Sequence, residues 1–259
     1  MNIHYKTDTI AKFYSQNRLR WDQFYPSEQF IFEKVFKEHG SIKTVLDAGC
    51  ACGGLGRALH ERFGIGHYMG VDINRSSIEQ AQAEQCNYPI PSQFECADIA
   101  ENTDFLKDKK FDLVTSLGCA DWNCDTKQMI KTCWDYTADG GYFIFSFRLT
   151  NRQTLNGIEK SYQYIHFDKI DELKGDEERA PYVVTNVGEM LEMIHGFHPR
   201  PDQLLGYGYW GTPSAMAVLP YKKVVFSVLA IRKNPENSET MINLSLPLDL
   251  FVREINYEE

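Results

Sequence analysis

The chain has 259 residues, of which 43% are hydrophobic and 24% charged, and its formal net charge is −9. These values are ordinary for a globular protein, but the acidic balance disfavours binding to polymeric nucleic acid, and no apolar run is long enough to cross a membrane. The amino end lacks the hydrophobic stretch of a signal peptide, and the seven scattered cysteines do not suggest a disulfide framework. One cytoplasmic domain with reduced thiols is expected. Cys50 and Cys52 are not spaced like paired zinc ligands, so no metal is predicted.

The predicted elements begin with two helices over residues 9–20 and 27–39, and Gly40 is the stop signal of the second. Strands and helices then alternate. The strands are predicted over residues 43–48, 67–72, 93–98, 111–117 and 141–147. The intervening helices are predicted over residues 53–63, 76–86, a short piece near Asp104, and 127–136. Such alternation indicates an α/β fold with a doubly wound, mostly parallel sheet.

The alternation stops at residue 148. Two β-like runs over residues 162–167 and 181–184 are separated by an acidic loop. Because this stretch interrupts the regular strand and helix pattern, we interpret residues 148–185 as an inserted lid or acceptor-site element.

A helix and two strands are predicted after the insertion. Asn186 and Glu189 resemble a capping box at the start of a helix that runs through Met193. The strands over residues 203–210 and 223–232 are expected to pair antiparallel, because no crossover helix fits between them. The sheet should therefore have seven strands, the final one antiparallel. The chain divides into an N-terminal helical cap, a cofactor-binding core, the insertion, a C-terminal helix with a hairpin that completes the sheet, and an acidic tail: residues 1–42, 43–147, 148–185, 186–233 and 234–259.

The most informative stretch is the loop after the first predicted strand. The strand ends in Asp47, and Gly49, Ala51 and Gly53 follow in a run of small residues before a helix. Small residues let a ligand approach the backbone, and the start of a helix presents free N–H groups to it. This pattern predicts a cofactor site.

Two kinds of cofactor compete for this loop. The register Gly49-x-Ala51-x-x-Gly54, with Asp72 about 20 residues further on, is similar to a dinucleotide-binding pattern, which favours NAD. That pattern does not explain Asp47, which lies before the small residues.

An acid at this place, followed by spaced glycines, resembles the motif of the class I S-adenosylmethionine-dependent methyltransferases. In that family the motif is acid, any, Gly, any, Gly, any, Gly. Asp47, Gly49 and Gly53 match it, and Ala51 takes the place of the middle glycine. The resemblance covers residues 44–147 closely and the final hairpin loosely, and it implies S-adenosylmethionine as the cofactor.

The resemblance also implies cofactor contacts at the ends of the next three strands. Asp72 would bind the ribose hydroxyls, and Ile73 would pack on the adenine. Asp98, followed by Ile99, would accept a hydrogen bond from the adenine amino group, and Leu117 would lie beside the methionine part. The carboxyl ends of parallel strands share one edge of a sheet, so an ordered set is more informative than any single motif.

Residues before the first strand often cover the cofactor in this family, so Arg20, Trp21 and Tyr25 are expected to close the site. The alternative for these residues is ordinary helix packing.

The implied reaction is methyl transfer to a small molecule by in-line displacement, without a metal. Asp121 is the candidate base, and its alternative is a helix-start acid; His166 and His195 are further titratable candidates. The residues expected at the acceptor are Trp122, Asn123, Arg148, Tyr207 and Trp210.

Oxygen is favoured as the acceptor atom. The family's branch that methylates amides and exocyclic amines carries Asn-Pro-Pro-Tyr where this chain has Leu-Gly-Cys-Ala at residues 117–120. A carboxylate or amine acceptor remains an alternative, as does a non-catalytic scaffold that binds S-adenosylmethionine, and an NAD(P) oxidoreductase is the third choice. Neither a nucleic acid nor a membrane is expected as a partner, and a homodimer is compatible with the sequence.

Overall fold

Two helices precede the sheet in the computed structural model, which describes residues 8–123, 125–165, 178–237 and 239–252. The first, α1 (Thr9–Tyr14), is shorter than the predicted helix over residues 9–20. Arg18 has a φ of 60°, which a right-handed helix does not accommodate. The second, α2 (Pro26–His39), ends at Gly40 as expected, with the glycine at a φ of 70°.

Strands and helices then alternate as the hydrophobic pattern predicts. In chain order they are β1 (Thr44–Ala48), α3 (Gly54–Phe63), β2 (His67–Asp72), α4 (Arg75–Ala83), β3 (Ser92–Cys96), β4 (Phe111–Ser116), α5 (Thr126–Tyr136) and β5 (Thr137–Thr150). Strand β1 pairs in parallel with β2 and β4, β2 pairs with β3, and β4 pairs with β5. The doubly wound parallel arrangement is therefore confirmed.

The second half of the chain extends this sheet. Its elements are β6 (Tyr162–Tyr164), β7 (Arg179–Pro181), β8 (Thr185–Asn186), α6 (Val187–His195), β9 (Pro201–Gly211), β10 (Ala217–Val218), β11 (Val224–Lys233) and β12 (Met241–Ser245). Strand β11 is antiparallel to both β5 and β9, as predicted for the final hairpin. The Asn186 side chain caps α6 by accepting from the backbone N–H groups of Gly188 and Glu189.

The large sheet has nine strands in the described residues, with the order β12-β9-β11-β5-β4-β1-β2-β3 and β8 beside β5. Seven of them correspond to the predicted strands. The two additional strands gave little signal, because β8 has only two residues and β12 is an edge strand with both Met241 and Ile242 exposed. Strand β12 pairs in parallel with β9, within the segment predicted as an acidic tail.

Helices cover both faces of the sheet, and neighbouring residues of one strand point to opposite sides. Leu46 belongs to the apolar cluster that contains Trp134 of α5. Val45 belongs to the other cluster, together with Ile31 of α2. Parallel strands buried on both faces read as continuous apolar runs, which is why these strands were recognisable.

The insertion forms part of a small three-stranded sheet with the order β10-β6-β7. Strand β7 lies slightly earlier than the run predicted over residues 181–184. Val184 is not part of β7 and instead forms an isolated bridge to Leu155. His166 and most of the predicted acidic loop fall within residues 166–177, which lie outside the described residues. Among the described residues, no helix has the length and apolar character required to span a membrane.

Candidate active site

A cavity of about 860 Å³ lies at the carboxyl ends of the central parallel strands. One end of it is formed by the loops after β1 to β4 together with residues before the sheet. The other end is formed by β5, the insertion and the hairpin of β9 and β11. We refer to these as the donor end and the acceptor end. Ligands of open α/β sheets bind at this edge, so the position agrees with the predicted site.

The loop after β1 approaches its neighbours too closely for side chains. Gly49 and Gly53 have φ values of 86° and 78°, which glycine adopts readily. A Cβ at Gly49 would lie 2.4 Å from the Cys119 sulfur, and one at Gly53 would lie 2.6 Å from the Phe94 ring. Gly49 lines the cavity, whereas Gly53 supports the loop from behind as the cap of α3.

Ala51 has a φ of 47° although it carries a Cβ. Its backbone N–H donates to Oδ2 of Asp72 at 2.8 Å, and a hydrogen bond to a carboxylate is stronger than a neutral one. This bond joins the loop after β1 to the end of β2. This hydrogen bond offsets the conformational free energy that the positive φ of Ala51 costs. The peptide backbone of the loop remains at the cavity surface.

Asp47 lies beneath the loop and is 3% exposed. Its Oδ2 accepts from the Tyr68 hydroxyl at 2.6 Å, and its Oδ1 accepts from the Thr115 hydroxyl at 2.7 Å. Burial raises the pKa of this carboxyl to about 6. The side chain is therefore fixed by β2 and β4, with the carboxyl at the cavity wall.

Asp72 ends β2 and lines the cavity. Its Oδ1 accepts from the backbone N–H of Asn74 at 2.8 Å, while its Oδ2 holds Ala51. Burial raises the pKa of this carboxyl as well. Each oxygen has a second lone pair, so the carboxylate can accept two further hydrogen bonds, as a pair of ribose hydroxyls requires.

The other strand-end residues expected at the donor end also line the cavity. Asp98 lines it and accepts from the backbone N–H of Ala100 at 3.0 Å. The apolar members of the predicted set that line the cavity are Ile73, Ile99 and Leu117.

Arg20 and Trp21 lie outside the cavity lining, in contrast to the expectation that they would cover the cofactor. Arg20 is on the surface and pairs with Asp22 at 3.2 Å. Trp21 packs between aromatic rings, with centroids 5.1 Å from Phe63 and 6.0 Å from Phe32. For Trp21 the alternative, ordinary packing, agrees with the structure, because the ring packs against apolar neighbours on α2 and α3.

Arg18 takes the position that was expected for Arg20. It lines the cavity, pairs with Glu28 at 2.8 Å, and places its guanidinium 4.4 Å from the centre of the Phe24 ring. A Cβ at Gly54 would lie 2.2 Å from the Arg18 carbonyl oxygen, so this segment rests directly on the start of α3. The sequence signal that could have pointed to Arg18 was Glu28 in the first turn of α2. This buried carboxylate can pair with only one of the two nearby arginines, Arg18 and Arg20. Tyr14 and Tyr25 also line this end.

The acceptor end is organised around Asp121, which follows β4 and is 4% exposed. Its Oδ2 lies 3.3 Å from Nε of Arg148, whereas its Oδ1 is buried without a hydrogen-bond partner among the described residues. Burial raises the pKa of this carboxyl, and the charge of Arg148 opposes the shift. A carboxylate oxygen in this state can accept a hydrogen bond or a proton from a bound molecule.

Arg148, in β5, is 4% exposed and is held on several sides. Its Nη1 donates to the carbonyl oxygens of Asp121 at 2.9 Å and Val183 at 3.4 Å. Its guanidinium carbon lies 3.5 Å from the centre of the Tyr182 ring and 4.5 Å from that of Trp122. The guanidinium is therefore bound mainly by groups of the protein, and it holds Asp121 and the two aromatic rings in place.

Three residues predicted as catalytic or at the acceptor do not line the cavity. His195 is at the carboxyl end of α6 beside Arg200. Tyr207 packs against the Phe30 ring of α2, with centroids 4.8 Å apart. Trp210 points to the opposite face of β9 and donates to Asp249. Strand β9 alternates its side chains, so Tyr209, which lies further along the Tyr207 face, reaches the cavity in their place.

The remaining acceptor-end residues come from distant parts of the chain. Trp122 and Asn123, both predicted, line the cavity, and Asn123 donates to the Met129 sulfur at 3.3 Å. The lining residues that the sequence did not reveal are Gln163, Ile165, Tyr182, Tyr209, Ser214 and Phe226. They lie in the insertion and the hairpin, where no local motif marks their function.

Comparison with known proteins identifies the class of this site. Residues 39–188 match a family model described as a methyltransferase domain, so the chain belongs to the methyltransferase domain family. This family agrees with the resemblance to the S-adenosylmethionine-dependent methyltransferases that the sequence motif carries. The donor end fits S-adenosylmethionine, because the backbone loop of Gly49 and Ala51 lines the cavity beside the carboxylate of Asp72.

Two curated relatives are similar to this chain in sequence, and one solved structure is similar to it in fold. The chain is 31% identical over 105 residues to the malonyl-(acyl-carrier protein) O-methyltransferase of Brevibacillus brevis, covering 40% of this chain and 38% of that protein. It is 28% identical over 126 residues to the ubiquinone biosynthesis O-methyltransferase of Chromobacterium violaceum, covering 48% and 50%. The chain thus spans half or less of these relatives' lengths.

The solved structure is a Burkholderia thailandensis 1,6-didemethyltoxoflavin-N1-methyltransferase with bound S-adenosylhomocysteine. Its TM-score is 0.51 at 14% identity, and the match covers 81% of this chain and 79% of that chain. At this identity the likeness concerns the fold alone.

Proposed function

We propose that the protein transfers the methyl group of S-adenosylmethionine to an oxygen atom of a small-molecule acceptor, with Asp121 as the general base. The observation that carries this proposal is Asp121, which lines the acceptor end and whose buried Oδ1 has no donor among the described residues. A hydroxyl oxygen needs to lose its proton as it is methylated, and a carboxylate in this position can accept it.

The relatives' names support the choice of oxygen, since both curated relatives described above are O-methyltransferases. The similarly folded N1-methyltransferase shows that the fold does not decide the acceptor atom. The choice therefore depends on the chemistry of the acceptor end.

The bound cofactor supplies a methyl group that is already activated by the sulfonium charge. The residues of this chain bind and orient the reactants. The loop of Gly49 and Ala51 and the carboxylate of Asp72 hold the donor, and Arg148 fixes Asp121 through an ion pair. Aromatic walls exclude water from the acceptor end. Holding two reactants in line is worth on the order of 7–11 kcal/mol of the barrier, so no covalent intermediate is required.

The test is turnover with isotopically labelled methyl donor, followed by identification of the methylated atom in the product by NMR. Asp121→Asn should retain cofactor affinity in calorimetry and lose about 10²- to 10⁴-fold in kcat, because the amide cannot accept the proton. Asp22→Asn, on the surface and outside the cavity, is the matched control. Methylation at nitrogen or carbon, or full activity of Asp121→Asn, would refute the proposal.

A further inference from the structure

The charges at the acceptor end discriminate between a carboxylate and a hydroxyl as the acceptor. Two guanidiniums line the cavity among the described residues, and each already has a carboxylate partner. Arg148 pairs with Asp121 at 3.3 Å, and Arg18 pairs with Glu28 at 2.8 Å. Asp72 contributes a further carboxylate to the lining. The described lining therefore has no unneutralised guanidinium, and an acceptor carboxylate that binds Arg18 or Arg148 would have to displace an internal ion pair.

Asp121 also determines the polarity of the hydrogen bond that the acceptor must make. Its buried Oδ1 is an acceptor without a donor among the described residues, and leaving such an oxygen unpaired is unfavourable. An acceptor carboxylate has no proton to offer at neutral pH and would repel this oxygen. An acceptor hydroxyl donates to it, and the same proton is the one that has to leave.

The walls of the acceptor end indicate the shape of the acceptor. They contain the rings of Trp122, Tyr182, Tyr209 and Phe226. The centroids of Tyr209 and Phe226 lie 6.3 Å apart, and those of Trp122 and Tyr182 lie 5.8 Å apart. Aromatic walls favour a flat ring in offset or edge contact.

The acidity of the acceptor hydroxyl has to suit a carboxylate base. A phenolic hydroxyl has a pKa near 10, whereas an aliphatic hydroxyl is a far weaker acid. Burial raises the pKa of Asp121, which reduces the mismatch with a phenol.

We infer that the acceptor is an uncharged, hydroxylated aromatic ring whose hydroxyl binds Oδ1 of Asp121, rather than a free carboxylate. This inference rests on the proposed function and narrows it to one acceptor class. In the transfer step the acceptor oxygen forms the bond to the methyl carbon. The carbon–sulfur bond breaks with its electron pair remaining on sulfur, and the hydroxyl proton passes to Asp121.

The two relatives differ on this point. Malonyl is a carboxylate-bearing group, whereas the ubiquinone enzyme is named for the biosynthesis of a ring compound. Whether the protein prefers a carboxylate or a hydroxylated ring as its acceptor therefore tells which of the two relatives it resembles in substrate.

The test compares ring compounds that are matched except for the polar group. Simple phenols and catechols, the corresponding benzoates, the corresponding anilines and short aliphatic acids are titrated into the protein saturated with S-adenosylhomocysteine. We expect the hydroxylated rings to bind at least tenfold more tightly than the benzoates, and to be the compounds that release S-adenosylhomocysteine under turnover. Equal affinity, tighter benzoate binding, or no binding of any hydroxylated ring would overturn the inference.

Turnover of carboxylates alone would overturn this inference and leave oxygen methylation standing, whereas turnover of anilines alone would overturn both. A second measurement uses a variant in which the preference for hydroxylated rings over benzoates should be reversed. Asp121→Asn leaves Arg148 without its carboxylate, so benzoate affinity should rise at least tenfold while phenol affinity falls. Asp22→Asn should change neither. Unchanged benzoate affinity in a folded Asp121→Asn protein would count against the ion-pair argument.

Discussion

The donor end and the acceptor end of the cavity are built by different means. At the donor end, backbone groups of the loop after β1 and carboxylates at successive strand ends converge, as Ala51 and Asp72 show through their 2.8 Å hydrogen bond. At the acceptor end, side chains from β5, the insertion and the hairpin surround one buried ion pair, Asp121 with Arg148. The donor end therefore depends on local chain geometry, and the acceptor end depends on long-range packing.

The largest effect is expected at the acceptor-end ion pair. Arg148→Met should lower the free energy of unfolding by about 3–5 kcal/mol, because it leaves Asp121 as a buried charge without a partner. Urea unfolding measures the loss. Arg18→Met serves as the comparison, since the Arg18 side chain is 21% exposed and water can partly replace it for Glu28. Equal losses of unfolding free energy for the two variants would contradict a difference in burial between the two ion pairs.

The next effect concerns Asp47 and pH. Its folded pKa of about 6 lies above the ordinary value of 3.8, so the folded protein binds more protons than the unfolded chain between about pH 4 and 6. The contribution of Asp47 to the free energy of unfolding should therefore fall as pH rises through that window, by on the order of 3 kcal/mol. Above pH 6 it should stay constant.

Asp47→Asn removes this titration and keeps the shape of the side chain. Urea unfolding at several pH values should show that the difference in stability between the variant and the parent grows in the variant's favour from pH 4 to 6. Parallel curves for the two proteins would contradict the assignment of the raised pKa to Asp47.

Cofactor affinity tests the donor end directly. Asp72→Ala removes both the acceptor for Ala51 and the predicted contact with the ribose hydroxyls, so the dissociation constant for S-adenosylmethionine should rise at least 100-fold, about 2.7 kcal/mol. Calorimetry measures the affinity, and circular dichroism checks the fold. Asp135→Ala, in an exposed pair with Lys131, should leave affinity unchanged. Retained affinity in Asp72→Ala would mean that the donor end has been misplaced.

The smallest effect is expected from Ala51→Gly. A glycine accommodates the φ of 47° without the Cβ strain, so the free energy of unfolding should rise by about 0.5–1 kcal/mol after the entropic cost of glycine. Thermal unfolding detects a change of this size, with Ala58→Gly inside α3 as a control of opposite sign. Destabilisation by Ala51→Gly would show that the left-handed alanine is not strained.

Prediction from sequence succeeded where the information was local. Asp47 and Gly49 were recognisable because they follow a buried strand and precede a helix. Arg20 was expected at the cofactor because residues before the first strand often cover it in this family, whereas the structure places Arg18 at the cavity. Tyr207 was chosen in place of Tyr209 because both lie on the same face of β9, and only their distance along the strand distinguishes them.

The sequence by itself determined the alternating α/β order, the parallel core of the sheet and the family, because apolar periodicity and a spaced acid and glycine motif are properties of short segments. Only the tertiary structure decided which groups face one another at the acceptor end. The pairing of Asp121 with Arg148, and the enclosure of that guanidinium by Trp122 and Tyr182, joins segments that no local pattern connects. Such contacts arise when distant elements pack together, and charge neutralisation within a cavity is a property of the packed state alone.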